Sequence, residues 1–235
     1  AKSARRWGTV PASKVQTVLN GIDVSIGDDR SQRDAMRESL GFSVGHRVIG
    51  TVGRLTEVKR QDLLLQAFSW LSSQFEQARL LIVGDGPERT RLESLALELE
   101  INDKVVFAGY QSRPEQFLHA MDVFALTSRH EGLPLSLLEA WAVGLPVISS
   151  AVGGIPNVIE HGRNGLLFRG GDAKALVANL SRVMADHRFA DVLSTAGNSE
   201  LRQRYSLEMM AENYAIQYRQ AMCGVSSRLK KAPHG

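Results

Sequence analysis

The sequence predicts an α/β fold of the Rossmann type, in which a parallel sheet is flanked by helices. Two patterns favour this class. From Arg47 onward, short apolar runs rich in β-branched residues alternate with longer stretches whose apolar residues recur at helical spacing. Glycine-rich junctions follow the predicted strands, at the edge where a doubly wound sheet binds ligands. We therefore expect one large domain with a ligand crevice at the carboxyl edge of its sheet.

The strands are predicted from apolar runs that turn residues bound on both sides. They are Val48–Val52, Leu80–Val83, Val105–Phe107, Val123–Leu126, Pro146–Ser149 and Leu166–Phe168. The helices are predicted at Gln61–Phe75, Glu88–Glu100, Pro114–His119, Leu135–Val143, Ala173–Ala185 and Leu207–Met222. The first of these helices carries an apolar face that consists of Leu64, Leu65, Phe68, Leu71 and Phe75. Pro87 is expected in the first turn of the second helix, where the missing N–H costs nothing.

The chain is expected to divide into four parts. Residues 1–14 are interpreted as a linker or remnant of a preceding region, and 15–205 as the Rossmann-like domain. Residues 206–224 are predicted to form a C-terminal helix, and 225–235 a basic tail. The segment Val15–Asp23 is predicted to be a strand running into a turn. Because no initiating Met and no βαβ unit precede it, we expect that an upstream part has been removed.

Composition excludes several classes of protein. No apolar run approaches the ~20 residues of a membrane-spanning helix, and the only cysteine, Cys223, cannot form an internal disulfide. A reducing, cytoplasmic location follows. The net charge of +3 comes without a basic helix or an aromatic and basic platform, which argues against nucleic acid. Basic residues gather at Ala1–Arg6 and Arg228–Lys231; they are interpreted as solvated tails or, alternatively, as a peripheral contact with the anionic inner face of a membrane.

Two cations follow the strand Val48–Val52. Arg54 and Lys59 lie in the loop at the carboxyl edge of the sheet, where a diphosphate would bind. A guanidinium offers a planar fork to phosphate oxygens and an ammonium offers a point charge, so together they could neutralise a departing nucleoside diphosphate. The alternative is a solvated loop in which the lysine begins a helix.

Two carboxylates, Glu131 and Glu139, follow the strand Val123–Leu126 with seven residues between them. If Pro134 opens a helix, the amides near its start face an anion, while Glu139 lies more than a turn inside. An eight-residue helical separation spans at most ~12 Å, about the distance from a donor sugar across a diphosphate to a ribose. Since Glu139 stands among apolar neighbours, it is expected to be exposed or to be buried with a partner such as a ribose diol.

A specific family resemblance rests on this part of the chain. The run from Thr127 to Ile148, which reads TSRHEGLPLSLLEAWAVGLPVI, resembles the signature of the GT-B-fold retaining glycosyltransferases of family 4. Further matching pieces occur in the family's order between Val15 and Phe168: Asn20–Asp23, Gly53 and Arg54 with Lys59, Gly84–Pro87, Val106–Tyr110, Gly153–Pro156 and Gly162–Phe168. The resemblance implies the C-terminal, nucleotide-sugar-binding half of such an enzyme.

The resemblance also implies roles for single residues. Arg54 and Lys59 would contact the phosphates of a UDP- or GDP-linked sugar, and Glu131 would lie against the donor sugar. Glu139 would hold the ribose hydroxyls, and the base would rest near Gly109 and Tyr110. Amides at the helix start would come from Gly132, Leu133 and Leu135, because Pro134 has no N–H. The acceptor, a glycan or lipid, would be held by a missing N-terminal domain that commonly supplies a histidine.

No metal or cofactor is expected, because the sequence has no Asp-x-Asp motif in a suitable loop; the two cations and the helix start would meet the charge. His130 abuts Glu131 and is interpreted either as a substrate contact or as a neighbour without a role. Gly84–Pro87 is interpreted as a strand-to-helix turn, and Gly153 with Gly154 as a donor contact or a turn. Two alternative functions stay open: a non-catalytic nucleotide-sugar-binding module, and a sugar-nucleotide epimerase of the same architecture.

Overall fold

The computed structural model describes residues 15–26 and 30–229. Its centre is a sheet of six parallel strands in the order β3-β2-β1-β4-β5-β6. The strands are β1 (Arg47–Val52), β2 (Ala78–Val83), β3 (Val105–Gly109), β4 (Val123–Leu126), β5 (Val147–Ser150) and β6 (Leu166–Phe168). All six predicted strands are thus confirmed, within two residues at each end, and so is the Rossmann-like α/β class.

Seven α-helices occur in the described part of the chain. They are α1 (Arg30–Ser39), α2 (Gln61–Ser72), α3 (Arg89–Glu98), α4 (Leu135–Ala142), α5 (Ala173–Ala185), α6 (His187–Arg204) and α7 (Leu207–Leu229). Short 3-10 helices occupy Val24–Ile26, Glu57–Lys59, Asn102–Lys104, Pro114–Ala120 and Ile155–Asn157. Within the described residues, no helix is both long enough and apolar enough to cross a membrane.

Helix α2 shows why the alternating pattern was sufficient to predict the fold. Its residues Leu64, Leu65, Phe68 and Leu71 are fully buried, as is most of the strand β2. Strands that are apolar along their whole length are typical of a parallel sheet covered by helices on both faces. The hydrophobic core therefore lies between the sheet and these helices.

Several predicted elements are corrected. Val15–Asp23 is not a strand, because its contribution to pairing is one isolated bridge between Ile22 and Ser206. Pro87 lies in the turn before helix α3, which begins two residues later at Arg89. The short helix predicted at Pro114–His119 is a 3-10 helix, Pro114–Ala120. Helix α1 was not predicted, since among its ten residues Ala35 and Met36 alone are apolar.

The chain forms two compact units. Val24–Leu201 contains the whole sheet. The second unit joins the described residues 15–23 to the described residues 202–229, where Ile22 exchanges backbone hydrogen bonds of 2.9 Å with Tyr205 and Leu207. Helix α7 continues to Leu229, so 225–229 are helical and not part of the expected tail. The predictions for 1–14 and for the basic residues beyond 229 lie outside the described residues.

The strand order determines where loops can form a site. From β1 the chain proceeds outward to β2 and β3 on one side, and from β4 it proceeds to β5 and β6 on the other. Strands β1 and β4 are neighbours, so the loops that leave their carboxyl ends diverge there. A crevice at such a reversal of strand order is the usual ligand site of an open α/β sheet.

Candidate functional site

The loop that follows β1 places both predicted cations at this crevice. Arg54 is exposed directly after the strand, and Lys59 ends the 3-10 helix Glu57–Lys59. The Lys59 side chain folds back along the loop, so that its Cε lies 3.9 Å from the position of a Cβ on Gly53. None of the described residues pairs with the Arg54 guanidinium. Its charge is therefore available to a ligand.

Glu131 is fixed by two donors. Its Oε1 accepts a hydrogen bond of 2.6 Å from the Lys59 ammonium and another of 2.6 Å from the Ser128 hydroxyl. The Glu131 side chain is 9% exposed and that of Lys59 is 27% exposed, so the ion pair is largely shielded from water. The pair joins the loop after β1 to the loop after β4.

Backbone contacts hold these two loops in register. Thr127 donates from its hydroxyl to the carbonyl oxygens of Lys59 and Arg60, at 3.0 and 2.8 Å. The Arg129 amide donates to the Val58 carbonyl at 2.8 Å. The loop after β1 thus cannot shift without breaking bonds to the residues that follow β4, and Lys59 stays next to Glu131.

The end of β5 and the loop after it contact the backbone of Ser128 and Glu131. Ser150 donates to the carbonyl oxygen of Ser128 at 2.7 Å. Gly153 adopts a positive φ of 57°, and a Cβ there would lie 1.8 Å from the carbonyl oxygen of Glu131. The adjacent amide of Gly154 donates to that same oxygen at 3.2 Å. Glycine at 153 is therefore required by the close approach of two backbones, which favours a role in positioning Glu131.

A cavity of about 400 Å³ opens beside Arg54. Its lining includes apolar side chains of Val52, Val83 and Pro114, together with Tyr110, which is 78% exposed. Gly109 ends strand β3 and precedes this tyrosine. The cavity, with an aromatic ring and a cation at its mouth, has the dimensions and the character of a small-molecule pocket.

The Gly84–Pro87 segment has a structural role at this cavity. A Cβ on Gly84 would lie 2.0 Å from the Gly53 carbonyl oxygen, and the Leu55 amide donates to the Asp85 carbonyl at 2.9 Å. The segment packs against the loop that carries Arg54. This contact agrees with its interpretation as a strand-to-helix turn.

Glu139 occupies a different environment from Glu131. It lies in helix α4, which begins at Leu135 after Pro134 as the N-cap residue. Burial raises the pKa of the Glu139 carboxyl group, and the negative charge of Glu115 adds to the shift. No described residue donates to this carboxylate. A partly buried carboxylate without a donor is a candidate to accept hydrogen bonds from a ligand.

The other residues that were predicted around Glu131 are exposed or half-buried. Gly132, Leu133 and Leu135 lie between the two carboxylates, with Gly132 and Leu135 exposed. His130 is also exposed, and none of the contacts described for Lys59, Glu131 and Ser128 involves it. Among the described residues, no group of three or more His, Cys, Asp or Glu side chains is placed to hold a metal ion. Ser128 and Thr127 were not predicted as site residues, although both stand in the run that carried the resemblance.

The fold and this edge define a Rossmann-like domain with a ligand crevice at its switch point. The family model of the Glycosyl transferases group 1 matches residues 32–200, more than half of the chain. The chain therefore belongs to the glycosyl transferases of group 1. Its placement in family 4, and with it the assignment of each site residue, stays a prediction.

Curated relatives agree with the family. The chain is 31% identical over 208 residues to the N-acetyl-alpha-D-glucosaminyl L-malate synthase of Bacillus anthracis, covering 88% of this chain and 54% of that protein. It is 33% identical over 198 residues to a GDP-mannose-dependent alpha-(1-6)-phosphatidylinositol monomannoside mannosyltransferase of Mycolicibacterium smegmatis, covering 80% of this chain and 51% of that protein. The chain thus spans about half the length of these relatives.

Solved structures agree with the fold. The Anabaena protein HepE in complex with UDP superposes with a TM-score of 0.86 at 24% identity, covering 93% of this chain and 61% of that chain. The same Anabaena protein has also been solved with UDP-glucose, with a TM-score of 0.85. At this identity the likeness establishes the fold alone, a GT-B-like α/β domain.

Proposed function

We propose that this chain is the donor half of a retaining glycosyltransferase, which binds a nucleoside-diphosphate sugar at the carboxyl edge of its sheet. The observation that carries the proposal is the pairing of Lys59 with Glu131 at 2.6 Å, beside the cavity that Arg54 lines. A cation next to a carboxylate supports a site for a sugar phosphate, which carries an anion next to a sugar ring.

The diphosphate is assigned to the two cations. Arg54 is free of protein partners among the described residues, and the Lys59 ammonium has three donor hydrogens, of which Glu131 takes one. As the bond between the anomeric carbon and the β-phosphate oxygen breaks, negative charge grows on the departing diphosphate. Two preorganised cations stabilise that charge without a metal or other cofactor.

The nucleoside is assigned to the cavity and helix α4. The base lies near Gly109 and Tyr110, and Glu139 accepts hydrogen bonds from the ribose hydroxyls. The raised pKa of Glu139 supports this role, because it marks a carboxylate that the protein itself does not neutralise. Amides of Gly132, Leu133 and Leu135 would face the phosphates between the two ends.

The sugar is assigned to Glu131. Its carboxylate, held by Lys59 and Ser128, stabilises the positive charge that develops on the sugar ring as the leaving group departs. The acceptor hydroxyl then forms the new bond to the anomeric carbon, and its proton passes to the departing diphosphate, which leaves as free nucleoside diphosphate. Retention of configuration is proposed from the resemblance of the Thr127–Ile148 run.

The acceptor is assigned to a part of the protein outside this chain. The relatives are about twice as long as the matched segment, and one of them is named for the transfer of mannose from GDP-mannose to a phosphatidylinositol mannoside. A glycan or lipid acceptor, held by an N-terminal domain, fits that proportion. The corresponding location of the enzyme is the cytoplasm, at the inner face of the membrane.

Calorimetric titration of this chain with UDP, GDP, ADP and their common sugar conjugates, with and without EDTA, tests the donor site. We expect one nucleoside diphosphate to bind regardless of EDTA and to bind much more weakly to the Glu139→Ala variant. Binding that requires a divalent metal ion would contradict the leaving-group role of the cations, and equal binding by Glu139→Ala would end the ribose assignment.

Assays on the complete protein distinguish a glycosyltransferase from a non-catalytic binding module and from an epimerase. With a donor named by the titration, transfer to an acceptor produces a glycoside and free nucleoside diphosphate. Binding without turnover in the complete protein would favour a non-catalytic module. Interconversion of the sugar nucleotide would favour the epimerase.

A further inference from the structure

The carboxylate of Glu131 depends on two donors that differ in what else they must do. Both the Lys59 ammonium and the Ser128 hydroxyl bond its Oε1, each at 2.6 Å. In the proposed function Lys59 must also meet the diphosphate, and its side chain is long, flexible and 27% exposed. When the donor binds, the hydrogen bond from Lys59 is therefore shared with or lost to phosphate oxygens.

Ser128 is in the opposite position. It is 1% exposed, carries no charge and follows the end of strand β4 by two residues. Its carbonyl oxygen accepts the Ser150 hydroxyl at 2.7 Å, which ties it to the end of the neighbouring strand β5. A buried serine held by two strands cannot follow the phosphate, so its hydroxyl keeps its place beside Glu131.

Only one carboxylate oxygen is used in this arrangement. Among the described residues, both hydrogen bonds to the Glu131 side chain go to Oε1. Two bonds to one oxygen hold that oxygen in place but restrain the plane of the carboxylate less. They also leave Oε2 available to a ligand. A permanent bond from Ser128 is enough to keep Oε1 in place while Oε2 serves the sugar.

We infer that Ser128 is a positioning residue, whose hydroxyl holds the Glu131 carboxylate against the donor sugar while Lys59 turns to the diphosphate. This inference rests on the proposed function, since it assigns Ser128 to the sugar end of that same site. It predicts a selective effect. Loss of the hydroxyl weakens recognition of the sugar and leaves recognition of the nucleoside diphosphate unchanged.

The test compares Ser128→Ala with Ser149→Ala by titration of UDP-glucose and UDP, or of GDP-mannose and GDP if guanine is the base selected. Ser149 is the matched control, because it is also fully buried beside this edge but donates to the Ser150 carbonyl and not to Glu131. We expect Ser128→Ala to bind the nucleotide sugar about tenfold more weakly, the effect of one hydrogen bond to a charged group. Its affinity for the nucleoside diphosphate should stay within about twofold.

A second variant covers the case in which Ser128→Ala does not fold. Ser150→Ala removes the bond to the Ser128 carbonyl and should show the same selectivity with a smaller loss of sugar affinity. A general structural effect would lower the affinity for the nucleotide sugar and for the nucleoside diphosphate together. Equal losses on the two ligands, or no loss on either, would overturn the assignment of Ser128 and leave the donor site intact.

Crystal structures of the parent and Ser128→Ala chains provide a readout that needs no donor. We expect Glu131 in a single rotamer in the parent and in more than one in the variant. If the parent binds no nucleotide sugar, the proposed function fails, and these structures alone decide on Ser128. An unchanged Glu131 rotamer in Ser128→Ala would overturn its positioning role.

Discussion

The two carboxylates of the candidate site are held in contrasting ways. Glu131 accepts bonds from a cation and a hydroxyl, and the loop after β5 packs against its backbone. Glu139 has no donor among the described residues, and burial raises its pKa, with Glu115 adding to the shift. Both residues follow strand β4 of the same sheet, so the difference does not come from the fold class.

The contrast indicates how firmly each carboxylate of the proposed site must be held before the ligand binds. A carboxylate beside a reacting centre needs a fixed position, because small displacements cost large factors in rate. A carboxylate that recognises hydroxyl groups can wait without a partner, because the ligand supplies the donors. The protein thus organises the proposed sugar end in advance and leaves the proposed ribose end to be completed by the ligand.

Removing a cation from the fixed end should have the largest effect. In the complete enzyme, Lys59→Ala or Arg54→Ala is expected to slow transfer more than a hundredfold, about 3 kcal/mol, on the scale of losing one preorganised donor. Steady-state kinetics with the donor at saturation measures it. Arg163→Ala is the control, because Arg163 pairs with Glu160 and both side chains are about two-thirds exposed. Normal turnover in either cation variant would remove the leaving-group role.

Displacing the backbone under Glu131 should come next. Gly153→Ala places a Cβ 1.8 Å from the Glu131 carbonyl oxygen at a φ of 57°. We expect a loss of folding stability of about 2 kcal/mol, from strain and overpacking together, measured by chemical denaturation. Gly162→Ala separates the two causes, since Gly162 has a φ of 81° but no atom within 4 Å of its Cβ position. Equal losses in both variants would show that strain alone acts at Gly153.

Glu139→Ala should have a smaller effect, on nucleotide binding at the proposed ribose end of the site. The expected loss is about tenfold in affinity for the nucleoside diphosphate, as for one or two hydrogen bonds to a charged acceptor. Folding stability should not fall, because the variant removes a carboxylate that the protein leaves without a donor. Calorimetry and thermal unfolding on the same sample separate the two quantities. A loss of stability with unchanged affinity would make Glu139 a structural residue.

The sequence was sufficient to predict the sheet, because each strand is an apolar run between turn residues. It failed where burial does not produce a pattern. Helix α1 is largely polar and is held through Arg33, which donates to the carbonyl oxygens of His119 and Met121 and pairs with Asp122. These partners lie more than eighty residues further along the chain. Spacing within the segment could not reveal them.

The site was predictable in part for the same reason. The ends of adjacent parallel strands meet, so the loops with Arg54, Lys59 and Glu131 could be assigned to one edge from order alone. The direct bond between Lys59 and Glu131 could not be predicted from the sequence, because both side chains were expected to contact the ligand. Ser128 lies three residues before Glu131, a spacing at which a hydroxyl can reach a carboxylate, and this signal was available in the sequence.

The smallest expected effect is a pH dependence at Glu139. A carboxyl group whose pKa is raised on folding contributes stability that is fully present below its unfolded pKa, about 4.3, and is lost as the pH rises through the folded pKa. Glu139→Gln should therefore raise Tm relative to the parent at pH 8, and this gain should vanish near pH 4. Glu98→Gln, at an exposed position of helix α3, measures the background from removing one negative charge.

Ribose binding should show the opposite trend in the parent, weakening as acid protonates Glu139, because a protonated carboxyl accepts hydrogen bonds poorly. A Tm difference that stays constant from pH 4 to 8 would mean that Glu139 is charged in the folded protein at no cost, and the contrast with Glu131 would disappear.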